Sequence, residues 1–172
     1  TLSSSSAASD VYKRQGYKVP KPDYEPSFPA DHGAHREYGL EWWYWIGHLK
    51  TESGEKEYGF QSTVFRVAGN PNESNNSESN AFGSRQLFLA HSALSNLSTR
   101  QYLHNERVMR EGWQARASTD TLGLQVAGIN ASMAKNGKSH KLTTRYPNGG
   151  ILELTLTPVS YTHLTLPTKR IV

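Results

Sequence analysis

Residues 41–49, EWWYWIGHL, constrain the fold of this chain more than any other stretch. They hold three of its four tryptophans, with a tyrosine among them. A run of aromatic residues without a helical period favours β-structure, so the stretch predicts a strand. Alternate side chains of a strand point to opposite faces, which places Trp43 and Trp45 together. Trp42 and Tyr44 then lie on the other face. We therefore expect a strand that is covered on both faces or that lines a cavity.

The two ends of the chain are related through the DNA that could encode them, not through their amino-acid sequences. Residues 5–15, SSAASDVYKRQ, can be back-translated so that the reverse complement of that DNA encodes residues 159–168, VSYTHLTLPT. Both ends therefore encode one DNA segment in opposite orientations, and that segment resembles a transposase-type sequencing-library adapter. We treat residues 1–15 and 159–172 as translated adapter and exclude them from fold reasoning, as for any non-native segment.

The adapter ends also carry most of the net charge. The chain has a formal charge of +4, and its two ends contribute +3 of that value. The remainder has no basic excess with which to attract nucleic acid or an anionic membrane, so no nucleic-acid partner is predicted. The chain contains no cysteine, which excludes disulfides and thiolate metal sites. No apolar run approaches the roughly 20 residues of a membrane span.

The rest of the chain has the pattern of short strands joined by turns. Residues 16–27 form a Pro-rich, extended lead-in, and residues 69–83 form an Asn/Ser-rich exposed loop. The predicted strands lie at residues 41–49, 57–66, 85–95, 123–130, 141–146 and 151–157. The segment 101–111 fits either a short helix or a seventh strand. Residues 28–158 therefore predict one all-β domain, an antiparallel sandwich or barrel.

Six polar residues in or beside these apolar strands are candidates for chemistry: Glu41, Gln61, Arg66, His91, Glu106 and Arg107. One interpretation is a cavity in which a few polar groups lie among aromatic side chains, as in most small-molecule sites. In the structural alternative, the backbone satisfies a buried His91 or Gln61. Glu41 then pairs with an arginine such as Arg66 or Arg107. The tryptophans likewise fit either a packed core or a surface for ligand stacking.

Motifs for other kinds of site are absent from the sequence. His32 and His35 are three residues apart, but no third ligand is evident, so no metal site is predicted. The chain also lacks a glycine-rich phosphate loop, a nucleophile elbow and an HExxH motif. The predicted site therefore needs no metal and no cofactor.

Five stretches follow one another along the chain: FPADHG at 28–33, EWWYWIGHL at 41–49, YGFQSTVFR at 58–66, LFLAHSALSN at 87–96 and ERVMREG at 106–112. In this order and spacing they resemble the lipocalin-like family of AttH/CrtC type. That family includes carotenoid 1,2-hydratases, kievitone hydratase-like proteins and bacterial predicted secreted hydrolases. The resemblance covers roughly residues 28–158.

The resemblance implies two consecutive lipocalin-like β-barrel domains, of which this chain matches the first. A C-terminal lipocalin-like domain is then the missing partner of this chain. The resemblance also implies an exported protein, periplasmic or lipid-anchored, and sometimes associated with an ABC transporter. A chain cut before its partner domain is expected to expose sheet edges or apolar surface and to self-associate.

For the hydratase members, the resemblance implies cofactor-free addition of water to an isolated C=C bond of an apolar isoprenoid- or lipid-like molecule. An acid protonates the alkene, and water captures the tertiary cation, which aromatic faces stabilise. We carry over catalytic roles to Glu41 and His91, although the acid can also lie in the second domain. Ligand-binding roles fall to Trp42, Trp43, Tyr44, Gln61 and Arg66. The alternative is a non-catalytic carrier of hydrophobic ligands or a periplasmic accessory of an ABC transporter.

Overall fold

Residues 16–69 and 86–157 are described by a computed structural model of the protein. This part of the chain holds nine β-strands and a single-turn 3-10 helix, Ala30–His32. The strands are β1 (Leu40–Lys50), β2 (Glu57–Val67), β3 (Leu87–Asn96), β4 (Gln101–Arg110), β5 (Ala115–Ala117), β6 (Gly123–Val126), β7 (Ile129–Met133), β8 (His140–Arg145) and β9 (Ile151–Leu156). The all-β prediction is confirmed. The predicted adapter ends and most of the Asn/Ser-rich loop lie outside the described residues.

The strands form two antiparallel sheets in which each strand pairs with its neighbour in sequence. The front sheet has the order β1-β2-β3-β4, and the back sheet has the order β5-β6-β7-β8-β9. Because no strand crosses between them, each sheet is an up-and-down meander whose edges, within the described ranges, are its first and last strands. The tryptophan strand β1 is therefore an edge strand of the front sheet.

The predicted hairpin between the tryptophan strand and its partner is confirmed. Trp43 lies opposite Val64 in the register of β1 and β2, and the N–H of Thr51 donates to the carbonyl of Lys56 across the turn, at 3.0 Å. A Cβ atom added to Gly47 would lie 2.7 Å from the ring of Phe60. Glycine at position 47 therefore leaves the space that this buried ring fills.

The inner faces of the two sheets share one hydrophobic core. Alternate residues of each strand reach it, as the period of a strand requires. The buried members include Phe60, Val64 and Phe88 from the front sheet and Leu124, Val126, Ile129 and Leu142 from the back sheet. Trp43, Trp45 and Leu49 are partly buried and pack against this core. Inside it, the hydroxyls of Ser62 and Thr144 form a hydrogen bond of 2.9 Å between the sheets.

Two predicted segments differ in detail from the structure. The predicted strand at 123–130 is wrong as a single strand, because β6 and β7 are joined by a tight turn at Ala127 and Gly128. Both residues have positive φ, 51° and 89°, as a type I′ hairpin turn requires. An alanine is an unusual residue for the first of these positions, so this turn could not be predicted from its residues. The ambiguous segment 101–111 is a strand, β4.

Replacing Thr144 by valine is expected to lower the free energy of unfolding by about 1–3 kcal/mol, because the hydroxyl of Ser62 is then buried without a partner. The matched double change, Ser62→Ala with Thr144→Val, removes both hydroxyls and is expected to cost less than Thr144→Val alone. Urea unfolding of these variants and of Ser62→Ala measures the coupling. Strictly additive losses would contradict a hydrogen bond between the sheets.

Candidate functional site

Arg66 of β2 is buried at the inner face of the front sheet, with 1% of its surface exposed. Its Nε donates to Oε2 of Glu41 on the neighbouring strand, at 2.6 Å. One terminal nitrogen donates to Oε1 of Gln86 at 2.6 Å, and the other donates to the carbonyls of His35 and Tyr38 at 2.9 and 2.7 Å. A buried guanidinium is stable only with such partners, so Arg66 fixes the loop before β1.

The same loop places His35 between two carboxylates. Its Nδ1 lies 2.9 Å from Oε1 of Glu41, and its Nε2 lies 2.7 Å from Oδ1 of Asp31. Its backbone N–H also donates to Glu41, at 2.5 Å. Asp31 accepts further hydrogen bonds from the hydroxyl of Tyr24 and the backbone N–H of Ser27. The side chains of Asp31, His35, Glu41 and Arg66 thus form one continuous network of hydrogen bonds.

These contacts shift the pKa values of Tyr24, Asp31 and His35. Burial alone lowers the pKa of His35, but the hydrogen bonds of Asp31 and Glu41 outweigh it, and the net pKa is raised above 6.5. The hydrogen bond from His35, followed by that from the Ser27 N–H, lowers the pKa of Asp31 to about 2. The hydrogen bond to Asp31 in turn raises the pKa of Tyr24 to about 12. The two carboxylates therefore favour the protonated form of the His35 imidazole.

The loop also joins the tryptophan strand to the back sheet. The indole N–H of Trp43 donates to the carbonyl of His32, at 3.1 Å. The N–H of Ala34 donates to the carbonyl of Ser118, at 2.7 Å. A Cβ atom at Gly33 would meet the backbone of Thr119 at 2.8 Å, so this close approach requires glycine. The loop thereby bridges the two sheets at one end of the sandwich.

An open cavity of about 400 Å³ lies where the loop, β1 and the back sheet meet; we call it the tryptophan groove. Its lining comprises Asp31, His32, Gly33, His35, Glu41, Trp42, Trp43, Tyr44, Trp45, Leu122 and His140. Consecutive residues of β1, which alternate between its two faces, line the groove, because an edge strand can be approached along its free side. Of the two expectations for the tryptophan strand, the cavity is found, whereas cover on both faces is wrong for the described residues. Trp42 is 61% exposed and Ile46 is 71% exposed.

Two imidazoles meet on the side of the groove formed by the back sheet. The rings of His32 and His140 make an edge-to-face contact with centroids 4.7 Å apart. Burial, followed by the charge of His32, lowers the pKa of His140 below 6.5. His35 and His140 therefore line one groove with pKa values pushed in opposite directions. Such a separation is how protein sites hold an acid and a base together at one pH.

The structure divides the predicted site residues between the two faces of the front sheet. Glu41, Trp43 and Arg66 lie on the inner face, where Arg66 is the arginine partner of Glu41. Trp42, Tyr44, Gln61, His91 and Glu106 lie on the outer face, in adjacent positions of the register. Glu41 and His91, the two predicted catalytic residues, are therefore not brought together. Their catalytic roles stay predictions.

Gln61 and His91 also differ from the structural alternative considered for them. Gln61 is exposed and its amide donates to the hydroxyl of Thr63, at 3.3 Å. His91 packs on Phe65 with ring centroids 5.5 Å apart. Its Nε2 is buried and has no hydrogen-bond partner within the described ranges. Arg107, the other proposed partner of Glu41, lies on β4 and is exposed.

Sequence reasoning missed the groove residues Asp31 and His140, and it considered His35 only as a metal ligand. Asp31 and His35 could have been found, because both lie in the short loop that leads directly into the tryptophan strand. His140 carries no such signal, since only the packing of the two sheets brings β8 to this loop. No cluster of three or more potential metal ligands occurs in the described residues. The described residues also contain no helix long and apolar enough to cross a membrane.

Comparison with known proteins decides the family. The AttH-like family matches residues 19–165 of the chain. The chain belongs to the AttH-like family. The matched range ends at residue 165, within the predicted adapter stretch and outside the described residues.

The crystal structure of an AttH from Nitrosomonas europaea is similar to this protein, with 29% sequence identity and a TM-score of 0.64. The match covers 84% of this chain and 41% of that chain, so the chain spans about two fifths of the length of this AttH. No curated protein matches the chain. The family and the all-β fold therefore rest on two agreeing comparisons.

Replacing Glu41 by glutamine is expected to lower the free energy of unfolding by about 3 kcal/mol or more, because the charge of Arg66 is then buried without a counter-charge. Glu57→Gln is the matched control on the same sheet, since Glu57 pairs with Lys50 in solvent and such pairs contribute little. Chemical unfolding of both variants gives the comparison. Equal losses would contradict a special role for the buried pair.

The pH dependence of stability is expected to follow His35 and Asp31. The raised pKa of His35 gives stability that is fully present below pH 6.5 and is lost as the pH rises through the folded value. The lowered pKa of Asp31 gives stability that is present above pH 3.8 and is lost as the pH falls towards 2. His140 contributes with the opposite sign to His35, because its folded pKa is lowered.

The difference in unfolding free energy between the protein and its His35→Gln variant isolates the histidine from the other groups. This difference is expected to shrink as the pH rises above neutrality. A difference that is constant between pH 5 and 9 would contradict a raised pKa of His35 in the folded protein.

Proposed function

We propose that this AttH-like chain belongs to a hydratase- or hydrolase-like protein that acts on an apolar, isoprenoid- or lipid-like molecule. The observation that carries the proposal is the tryptophan groove, which four aromatic residues of β1 line together with His35 and His140. A volume of about 400 Å³ is within the usual range for small-molecule sites, about 300–1,000 Å³. The apolar part of the substrate would lie along the aromatic rings, and its polar end would lie beside the imidazoles of His35 and His140.

The chemistry proposed is cofactor-free addition of water to a C=C bond. One alkene carbon takes a proton from an acid, the other carbon becomes cationic, and water adds to it and loses a proton to a base. The aromatic faces of Trp42 and Tyr44 would stabilise the cation. His140, whose lowered pKa keeps it neutral at neutral pH, is suited to accept the proton that water loses.

The acid of such a reaction is best sought outside the described residues. Both oxygens of Glu41 already accept hydrogen bonds from His35 and Arg66. Asp31, with a pKa of about 2, is ionised at neutral pH, and an imidazolium such as His35 is a weak acid for an isolated alkene. This chain alone is therefore expected to bind the substrate without turning it over, and a second part of the protein would supply the acid.

A carrier of hydrophobic ligands, working as a periplasmic accessory of an ABC transporter, is the second candidate. It would need the aromatic wall of the groove but not the opposed pKa values of His35 and His140. In the longer protein, His140→Phe would abolish turnover and spare ligand affinity if the protein is an enzyme. A longer protein with affinity for apolar ligands and no turnover of alkenes would favour the carrier.

Binding of all-trans-retinol, a fluorescent polyene, is expected to quench the tryptophan emission of the 172-residue chain. Trp42→Ala is expected to weaken binding roughly tenfold, about 1.4 kcal/mol, because it removes one aromatic wall. Two controls should bind like the unaltered chain. Trp113→Ala removes a tryptophan that is 87% exposed and outside the groove, and Ile46→Thr alters the same strand outside the groove. Saturable binding that Trp42→Ala leaves unchanged would contradict the proposed site.

A further inference from the structure

A second open cavity lies beside β4, at the edge of the front sheet that is opposite to β1. Its volume of about 430 Å³ is again within the usual range for small-molecule sites, about 300–1,000 Å³. We call it the arginine cavity, because two arginines and four side-chain amides line it: Arg107, Arg145, Asn105, Gln114, Gln125 and Asn130. No aspartate or glutamate of the described ranges lines it. Its composition is therefore the reverse of that of the tryptophan groove.

The strand β4 places a charged residue on the side of the front sheet that faces the core. In the register of this sheet, Arg107 shares a row with Trp43, Val64 and Ala90. Val64 and Ala90 are buried, whereas Arg107 is exposed. The core therefore ends before this row reaches β4, and Arg107 lines the cavity instead.

Hydrogen bonds of the chain itself hold the walls of the arginine cavity in place. The amide of Asn105 on β4 donates to the carbonyl of Ala127 at 3.2 Å. Because Ala127 belongs to the tight turn between β6 and β7, this bond joins the edge of the front sheet to the back sheet. The N–H of Ala127 donates to the carbonyl of Gln114 at 3.4 Å, which ties the segment before β5 to the same turn. The cavity is thus formed without a ligand.

The two arginines have no counter-charge in the part of the chain that the structure describes. The side chains of Arg107 and Arg145 form no ion pair and no hydrogen bond with a described residue, in contrast to Arg66. The side-chain amides of Gln114, Gln125 and Asn130 likewise form no hydrogen bond there. Guanidinium groups only donate hydrogen bonds, and each amide adds two more N–H donors. The cavity therefore offers an excess of donors and a positive charge.

Protection of a free sheet edge accounts for only one of the two arginines. A charged residue that points inward from an edge strand discourages pairing with another sheet, which fits Arg107 on β4. Arg145 ends β8, which lies between β7 and β9 in the back sheet, so it protects no edge. What the two arginines share is the cavity, which they line from different sheets.

We infer that the arginine cavity binds a small molecule through an oxyanion group, either a carboxylate or a phosphate. A planar guanidinium matches both groups with two parallel N–H donors. Arg107 would approach the anion from the front sheet and Arg145 from the back sheet, and the amide N–H groups would reach its remaining lone pairs. This inference does not depend on the proposed hydratase chemistry, because the two cavities lie at opposite edges of the front sheet.

Titrations of the ¹⁵N-labelled 172-residue chain with inorganic phosphate and, separately, with succinate test the inference, at an ionic strength kept constant with NaCl. The side-chain Nε–H signals of Arg107 and Arg145 are expected to shift together along one saturable curve. The signal of Arg66, whose Nε donates to Glu41, should stay in place. The anion that binds more tightly identifies the oxyanion group. Unmoved signals of both arginines with both anions, or shifts that NaCl alone reproduces, would overturn the inference.

Three variants, studied by calorimetry with the tighter-binding anion, separate a specific site from general attraction by positive charge. Arg107→Gln and Arg145→Gln are each expected to weaken binding roughly tenfold, because each removes charge-assisted hydrogen bonds. Both arginines are exposed, so the variants should fold like the unaltered chain. Arg116→Gln is the matched control, since it removes one exposed charge of the back sheet outside this cavity, and it should leave the affinity unchanged. Equal losses in all three variants would overturn the inference.

Discussion

The buried charge of Arg66 is the interaction on which the rest of the structure depends. Removing a guanidinium from water costs several kcal/mol, and only a full set of acceptors offsets that cost. Those acceptors are Glu41 of β1, Gln86 before β3 and two carbonyls of the loop that precedes β1. The guanidinium is therefore satisfied only when the loop lies against the sheet. Once it does, His32, His35 and Asp31 are carried to the edge of the tryptophan strand, and the groove exists.

The alternation of side chains along β1 gives the protein two different surfaces from one strand. Trp43 and Trp45 pack against the core and line the groove from within. Trp42 and Tyr44 project outward, and 61% and 63% of their surfaces are exposed. One strand thus carries two aromatic pairs into different environments, one against the core and one at the surface.

Much of the fold could be predicted from the sequence, because aromatic runs and polar turns are local signals. The hairpin of β1 and β2 and the all-β class follow from such signals. The turn at Ala127 and Gly128 could not be found, since alanine rarely adopts the left-handed conformation. The sequence allows Glu41 to pair with Arg66 or with Arg107. It cannot decide between them, because the choice depends on the register of the strands. The place of His140 in the groove could not be predicted, because it depends on the packing of one sheet on the other. The exposure of Trp42 could not be predicted without knowing that β1 is an edge strand.

The central claim is that the tryptophan groove holds an apolar molecule, and the indole N–H signals of the four tryptophans test it directly. In ¹⁵N-labelled protein titrated with farnesol, the signals of Trp42, Trp43 and Trp45 are expected to shift together along one saturable curve. The signal of Trp113, which lies outside the groove, is expected to stay in place. Four unmoved signals, or a shift of Trp113 equal to the others, would contradict the account.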